Sequence, residues 1–104
     1  MKNNETEKER IERYKKILSK IIEDIIPNAK IYLFGSRARL SHQEGSDIDL
    51  AIDSGNKIDI KTILKLHTKI EETSIPLSVD LIDFNNIKPE LKNEIIKEGI
   101  LWTK

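Results

Sequence analysis

The apolar residues of this chain alternate between helix-like and strand-like spacing. Between residues 5 and 26 they recur every three or four positions, which predicts an amphipathic helix with one apolar stripe. Pro27 and Asn28 follow directly and end this helix. The stripe consists of Ile11, Tyr14, Leu18, Ile21, Ile22 and Ile25.

Three short segments have the pattern of β-strands. Residues 30–34 are rich in β-branched and aromatic side chains and end at Gly35. Residues 47–53 and 77–83 alternate between apolar and polar positions. Because successive side chains of a strand point to opposite faces, each of these two segments predicts a strand with one buried face and one polar face.

Two further helices are predicted after the second and third strands. The first follows Asp59, which is a suitable N-cap residue, and the second has Pro89 in its first turn and ends at Gly99. Periodicity places one set of residues on the inner face of each helix. These are Ile60, Ile63, Leu64, His67 and Ile70 in the first, and Leu91, Ile95 and Ile96 in the second.

The remaining segments connect these elements. Residues 36–40 predict a short helical turn, residues 41–46 a polar loop, and residues 85–86 a turn. The apolar residues 100–102 predict a tail in which Trp102 is a packing anchor or a partner contact. The order α-β-(short α)-β-α-β-α predicts one α/β (α+β) domain over residues 1–104, with helices on a sheet of about three strands in two layers.

Composition narrows the class of protein. The chain has 104 residues, with 18 basic and 18 acidic side chains, so its net charge is zero. Binders of nucleic acids or membrane surfaces usually carry a basic excess, so neither partner is expected here. The chain contains no cysteine, which excludes disulfides and thiolate metal sites. A polar N-terminus without an apolar segment predicts a cytoplasmic protein.

The second strand carries Asp47 and Asp49 on one face. Two carboxylates about 4 Å apart repel by about 1 kcal/mol in water, and a divalent cation such as Mg²⁺ or Mn²⁺ reverses that interaction. Asp80 lies on the polar side of the third strand and joins them if the two strands pair, although an isolated strand aspartate is often only solvated. Three carboxylates can hold two metal ions for phosphoryl or nucleotidyl transfer.

A candidate phosphate site directly follows the first strand. Gly35 allows close approach of a phosphate to the backbone, and Ser36 begins a short helical turn whose amides can donate hydrogen bonds. Arg37 and Arg39 follow, and guanidinium groups bind phosphate oxygens in pairs. The segment therefore predicts a site for a nucleoside triphosphate.

Several residues also have a second interpretation. Asp53 shares the parity of the two aspartates but lies at the end of the strand, where a turn residue is expected. Arg37 is favoured over Arg39 as the phosphate contact, because exposed arginines often form only weak ion pairs. His42 has two interpretations, contact with the nucleotide or exposure to solvent. His67 lies on an apolar helix face and is expected to be a core histidine.

The motif resembles the DNA polymerase beta-like nucleotidyltransferase superfamily. Gly35-Ser36, ten intervening residues, Asp47 and Asp49, and a later Asp80 on a neighbouring strand make up this pattern. The resemblance implies that the glycine and serine hold the triphosphate of ATP and that the first two aspartates bind both metal ions. It also implies that Asp80 binds the catalytic metal and helps to deprotonate the attacking hydroxyl.

The sequence FGSRAR…GSDIDLAI is similar to that of the minimal nucleotidyltransferases, and the similarity extends from Ile31 to about Trp102. Leu40 stands where that family often has glycine, so the bend of this loop is left open. These proteins are commonly paired with a helical HEPN protein. The resemblance therefore implies an antitoxin that adenylylates a tyrosine of a HEPN toxin with RNase activity.

Two alternatives stay open at this point. The domain can neutralise its partner by binding alone, or it can be the catalytic subunit of an enzyme that modifies an antibiotic or a sugar. The latter enzymes usually carry an added acceptor-binding domain, and a chain of 104 residues leaves little room for one. A second protein is therefore expected to supply the acceptor.

Overall fold

In the part of the chain that the structure describes, three helices pack on both faces of a four-stranded mixed sheet. The computed structural model describes residues 5–40 and 45–103. In chain order the elements are α1 (Glu7–Ile25), β1 (Lys30–Phe34), β2 (Ile48–Asp53), α2 (Ile60–Glu71), β3 (Val79–Asp83), a 3₁₀ turn (Phe84–Asn86), α3 (Pro89–Glu98) and β4 (Ile100–Leu101).

Helix α1 begins at a capping box, in which the side chains of two residues each accept a hydrogen bond from the backbone amide of the other. The Thr6 hydroxyl accepts from the Glu9 amide at 3.1 Å, and the Glu9 carboxylate accepts from the Thr6 amide at 3.1 Å. The buried residues Tyr14, Leu18 and Ile22 confirm the predicted apolar stripe.

The sheet has the order β3-β2-β1-β4, and its register places three predicted site segments side by side. Strand β1 runs antiparallel to β2, with Phe34 opposite Asp49. Strand β3 runs parallel to β2, with Asp80 beside Asp49. The end of β1 and the beginnings of β2 and β3 therefore lie at the same edge of the sheet, with β2 in the middle.

The strand count of three was too low. Ile100 and Leu101, predicted as a tail, form a two-residue strand that pairs antiparallel with β1. The adjacent Trp102 amide donates to the Ile31 carbonyl at 2.7 Å, and the Trp102 side chain is buried, as expected of a packing anchor. A strand of two residues is too short for its alternation to be recognised in a sequence.

The sheet is buried on both faces, so the domain has three layers rather than the predicted two. The main core joins α1 and α2 to one face of the sheet and includes Leu18, Leu50 and Leu66. Ala51 points the other way and packs with Phe84 and Ile95, where α3 covers the second face.

The inner faces of α2 and α3 differ from the prediction at single positions. Ile60 and Leu64 are 71% and 59% exposed, whereas Leu66 is fully buried. His67 is only half-buried, so it is not a core histidine. Ile96 is 61% exposed, while Ile95 is buried as expected. Both helices carry apolar residues on more than one face, so periodicity alone does not define which face meets the sheet.

None of the helices within the described residues has the length and apolar character needed to cross a membrane.

Candidate functional site

The turn after β1 has a tight backbone conformation. Gly35 adopts a φ of +78°, which L-residues with a side chain rarely adopt. The Arg39 amide donates to the Gly35 carbonyl at 3.2 Å, so residues 35–39 form one turn with helical hydrogen bonding, as predicted. Leu40 closes the segment with a φ of +58°. The glycine that the family often has at this position would adopt that conformation without strain.

The loop that follows is described only in part. Residues 41–44, which include His42, lie outside the described residues, so the contact considered for this histidine stays a prediction. The chain resumes at Gly45 and Ser46, the last two residues of the predicted loop.

Gly35 lies directly against the carboxylate of Asp49. A Cβ atom placed on Gly35 would come within 2.5 Å of Asp49 Oδ2. Real Cβ atoms do not come that close to another atom, so any larger residue must displace the carboxylate. This position therefore requires glycine for two reasons: its φ is positive, and the Asp49 carboxylate leaves no space for a side chain.

Asp49 and Asp80 form the acidic pair at the centre of the site. They are neighbours in the parallel register of β2 and β3. The pKa of Asp49 is raised from its ordinary value, first by partial burial and then by the charge and hydrogen bonding of Asp80 and the charge of Asp47. All of these effects disfavour the ionised carboxylate, so a cation placed between the two groups would relieve them.

Asp47 lies just outside the ordered strand, because β2 begins at Ile48 rather than at residue 47. Its side chain is exposed, and its charge contributes least to the raised pKa of Asp49. Within residues 5–40 and 45–103, no three acidic, histidine or cysteine side chains form a ready metal cage. The structure therefore brings two of the predicted ligands together and places the third beside them.

This donor set fits a hard divalent cation. Carboxylate oxygens are the ligands that Mg²⁺ and Mn²⁺ prefer, and Mg²⁺ usually takes one or two of them while water and phosphate oxygens complete its shell. Asp49 and Asp80 would hold such an ion, with Asp47 able to join.

The two arginines of the motif have different surroundings. Arg37 is buried, and its Nε and Nη2 atoms donate to the Ser46 carbonyl at 3.0 and 2.8 Å. Arg39 is exposed and pairs with Glu94 at 3.4 Å and Glu98 at 3.7 Å, both on α3. This is the surface ion pair considered for Arg39, and phosphate contacts of either arginine stay predictions.

A cavity of about 530 Å³ beside Asp80 is lined by residues that the sequence patterns do not connect with the site. His67 and Glu71 of α2 line it together with Ser78. His67 had been assigned to the core because it shares a helix face with apolar residues, and only the packing of α2 shows that it borders an open groove.

The fold, with its acidic pair beside a glycine turn, is that of the nucleotidyltransferase class. The family model of polymerase beta nucleotidyltransferases matches residues 12–103. This chain belongs to that family, and the predicted resemblance is confirmed.

Named relatives give more detail. The chain is 30% identical over 82 residues to "Probable protein adenylyltransferase MntA" of Haemophilus influenzae, which covers 79% of this chain and 71% of that protein. It resembles a chain of a toxin–antitoxin crystal structure with AMP-PNP, with a TM-score of 0.73 and 27% identity, over 86% of this chain and 72% of the other.

A third similarity is to the structure of a tri-AMPylated Shewanella oneidensis HEPN toxin in complex with MNT antitoxin. The TM-score is 0.69 at 25% identity, and the match covers 88% of this chain and 71% of the other.

Proposed function

We propose that this nucleotidyltransferase is a protein adenylyltransferase that transfers AMP from ATP to a tyrosine hydroxyl of a helical HEPN-type toxin and so acts as its antitoxin. The observation that carries the proposal is the position of Asp49 in the sheet: β2 pairs with β3, which sets Asp49 beside Asp80, and with β1, whose end brings Gly35 against it. This arrangement offers carboxylate ligands next to a turn suited to phosphate.

The similar proteins support the choice of substrate. One is named as a protein adenylyltransferase, one was solved as a toxin–antitoxin pair with AMP-PNP, and one contains an AMPylated HEPN toxin with MNT antitoxin. Together these names favour ATP as donor and a partner protein as acceptor. The same proposal includes a cytoplasmic location, no direct contact with nucleic acid, and a single catalytic domain over residues 1–104.

The chain's own residues have distinct tasks in this reaction. The turn at Gly35 and Ser36 holds the triphosphate by its amides and the serine hydroxyl. Asp47, Asp49 and Asp80 hold Mg²⁺ or Mn²⁺, and we expect two ions. When bound, the metal stabilises charge on the phosphates and lowers the pKa of the acceptor hydroxyl. In this proposal Asp80 receives the proton of the acceptor hydroxyl as the acceptor oxygen bonds to the α-phosphorus and pyrophosphate leaves.

Label transfer tests this proposal. The chain is incubated with ATP labelled at the α-phosphate, Mg²⁺ and the product of the neighbouring gene, which the proposal expects to be HEPN-type, and the label is expected on a tyrosine of that partner. The double variant Asp47→Asn, Asp49→Asn is expected to transfer no label. Asp53→Asn is the matched control, because Asp53 has the same strand parity but lies at the other end of β2.

Failure of the folded parent chain to label its partner would contradict the proposal. A different result, in which the double variant still protects cells from the toxin, would show that binding alone is sufficient for neutralisation. Transfer of label to a small molecule instead of a protein would favour an enzyme that modifies antibiotics or sugars.

A further inference from the structure

Arg37 is the only charged residue that is buried among the described residues, with 5% of its surface exposed. Burial of a charge is costly unless hydrogen bonds compensate for it. Two of its nitrogens donate to a single acceptor, the Ser46 carbonyl, at 3.0 and 2.8 Å. The guanidinium is therefore committed to the backbone just before β2.

The third nitrogen of this guanidinium points toward helix α1. Arg37 Nη1 lies 3.7 Å from a carboxylate oxygen of Glu7 in the first turn of α1, and it has no hydrogen-bond partner among residues 5–40 and 45–103. The Glu7 side chain is 45% exposed, so the ion pair itself contributes little. The hydrogen bonds to Ser46 are the stronger attachment.

The residue held between two such attachments is Asp47. On one side of it, Arg37 holds the Ser46 carbonyl, and on the other the Ile48 amide donates to the Ser78 carbonyl at 2.9 Å. Ser78 is the residue before β3 and lies two positions before Asp80. The backbone on both sides of Asp47 is therefore fixed relative to Asp49 and Asp80.

We infer that Arg37 is a positioning residue, which fixes the Ser46 carbonyl so that Asp47 can reach a cation held by Asp49 and Asp80, and that it is not itself a ligand of the triphosphate. The metal-binding part of this inference rests on the proposed function. The clamp on the backbone does not, because it follows from the hydrogen bonds alone.

The test compares Arg37→Met with Arg13→Met in the full chain, because Arg13 is an exposed arginine of α1 outside the candidate site. Methionine keeps most of the arginine volume but donates no hydrogen bond. We expect Arg37→Met to increase amide hydrogen exchange at residues 46–48 by about tenfold, with β1 unchanged. The Mg²⁺ concentration for half-maximal AMP transfer is expected to rise by about 10- to 100-fold, as is usual when a group that supports a metal ligand is removed.

Two further readouts separate positioning from direct phosphate contact. At saturating Mg²⁺, the KM for ATP of Arg37→Met should stay within about twofold of the parent, since uniform binding of the nucleotide is not lost. Arg37→Lys keeps one donor and should restore part of the Mg²⁺ response. Arg13→Met, which loses the exposed pair of Arg13 with Glu5, should match the parent in every readout.

Unchanged exchange at residues 46–48 together with a raised KM for ATP would overturn the inference and make Arg37 a triphosphate ligand. If Arg37→Met does not fold, Arg37→Lys decides by the same two measurements. If the parent chain transfers no AMP, the proposed function fails. Hydrogen exchange, together with Mn²⁺ binding followed by electron paramagnetic resonance, still decides the role of Arg37.

Discussion

Strands β2 and β3 carry aspartates at both ends, and the two ends differ in what surrounds the carboxylates. At one end, Asp49 faces Asp80 and lies against Gly35. All the effects on the pKa of Asp49 raise it, since they come from burial and from other acidic side chains. This end is electrostatically unfavourable by itself.

At the other end the carboxylates accept hydrogen bonds from the surrounding backbone. Asp53 Oδ1 accepts from the Gly55 amide at 2.9 Å and from the Asn85 side chain at 2.8 Å. Asp83 accepts from the Ile58 amide at 2.7 Å and from the Asn85 amide at 3.0 Å. These bonds hold the turn after β2 against the 3₁₀ turn after β3, so the role of this end is structural.

The comparison shows that the donors around an aspartate, and not its place in a strand, decide its role. Carboxylates with backbone donors stabilise turns. A carboxylate pair whose neighbours are acidic favours a bound proton or a cation, and on the proposed function this is the end of the sheet that would hold the metal.

The largest expected effect on activity comes from a comparison of two aspartates of β3, one near each end of the strand. Asp80→Asn should lower the rate of AMP transfer on the order of 10³-fold, because it removes a metal ligand and a proton acceptor. Asp83→Asn should keep the rate per folded molecule but lower the free energy of unfolding by about 1–3 kcal/mol. Label transfer measures the rate, and denaturant unfolding measures the free energy of unfolding. Equal loss of activity in the two variants would contradict the idea that only one end of the strand pair has a catalytic role.

The second comparison uses two glycines with positive φ. Gly35→Ala should lower the rate of transfer by about 10²-fold, because the added Cβ displaces the Asp49 carboxylate. Gly55→Ala meets no atom within 4 Å at a φ of +90°, so it should cost about 1–2 kcal/mol of stability from backbone strain and leave the rate unchanged. Steady-state kinetics on both variants, with thermal unfolding in parallel, tests this difference.

A third prediction concerns the raised pKa of Asp49. A carboxylate with a raised pKa binds its proton more tightly in the folded state, so the free energy of unfolding decreases as pH rises from the ordinary value of 3.8 through the raised value. With metal removed by EDTA at pH 7, Asp49→Asn should therefore have a higher free energy of unfolding and a higher Tm than the parent.

That advantage should disappear below about pH 4, where the parent carboxylate is protonated in both states. Addition of Mg²⁺ should stabilise the parent and not the variant. A variant that is less stable than the parent in EDTA at pH 7 would show that Asp49, like Asp53, has a structural role.

The smallest expected effect concerns Leu40, which is 81% exposed and has a φ of +58°. Leu40→Gly should raise the free energy of unfolding by about 0.5 kcal/mol, because relief of backbone strain exceeds the added entropy of the unfolded chain. Leu64→Gly is the matched control: Leu64 is also exposed but lies in α2, and the change should cost about 1 kcal/mol. Urea unfolding of the two variants decides the sign.

Sequence patterns predicted most of the fold, because its longer elements have strong periodicity or clear boundaries. The bounds of β1 were predicted exactly as found, and α3 begins at Pro89 and ends before Gly99 as expected. The short strand β4 and the burial of the second sheet face by α3 were missed. Both depend on contacts between residues distant in the chain, which a local pattern does not contain.

For the candidate site, the condition on which the case for Asp80 depends is met, because β2 pairs with β3 in parallel register. The metal and phosphate roles of the site residues stay predictions. The environment of Arg37 was not foreseen, since its partners Ser46 and Glu7 lie nine residues after it and thirty residues before it. Sequence shows that a guanidinium is present but not which group it donates to.

The parallel pairing of β2 and β3 also has a consequence for the order of folding. The chain must pass through the whole of α2 before Asp80 can reach Asp49, whereas the antiparallel hairpin of β1 and β2 closes over a shorter loop. Because contacts between distant residues generally form later, we expect the acidic residues to meet after the β1–β2 hairpin has closed and before β4 pairs with β1. A chain still emerging from the ribosome is then spared the repulsion between Asp49 and Asp80 until α2 and β3 have been synthesised.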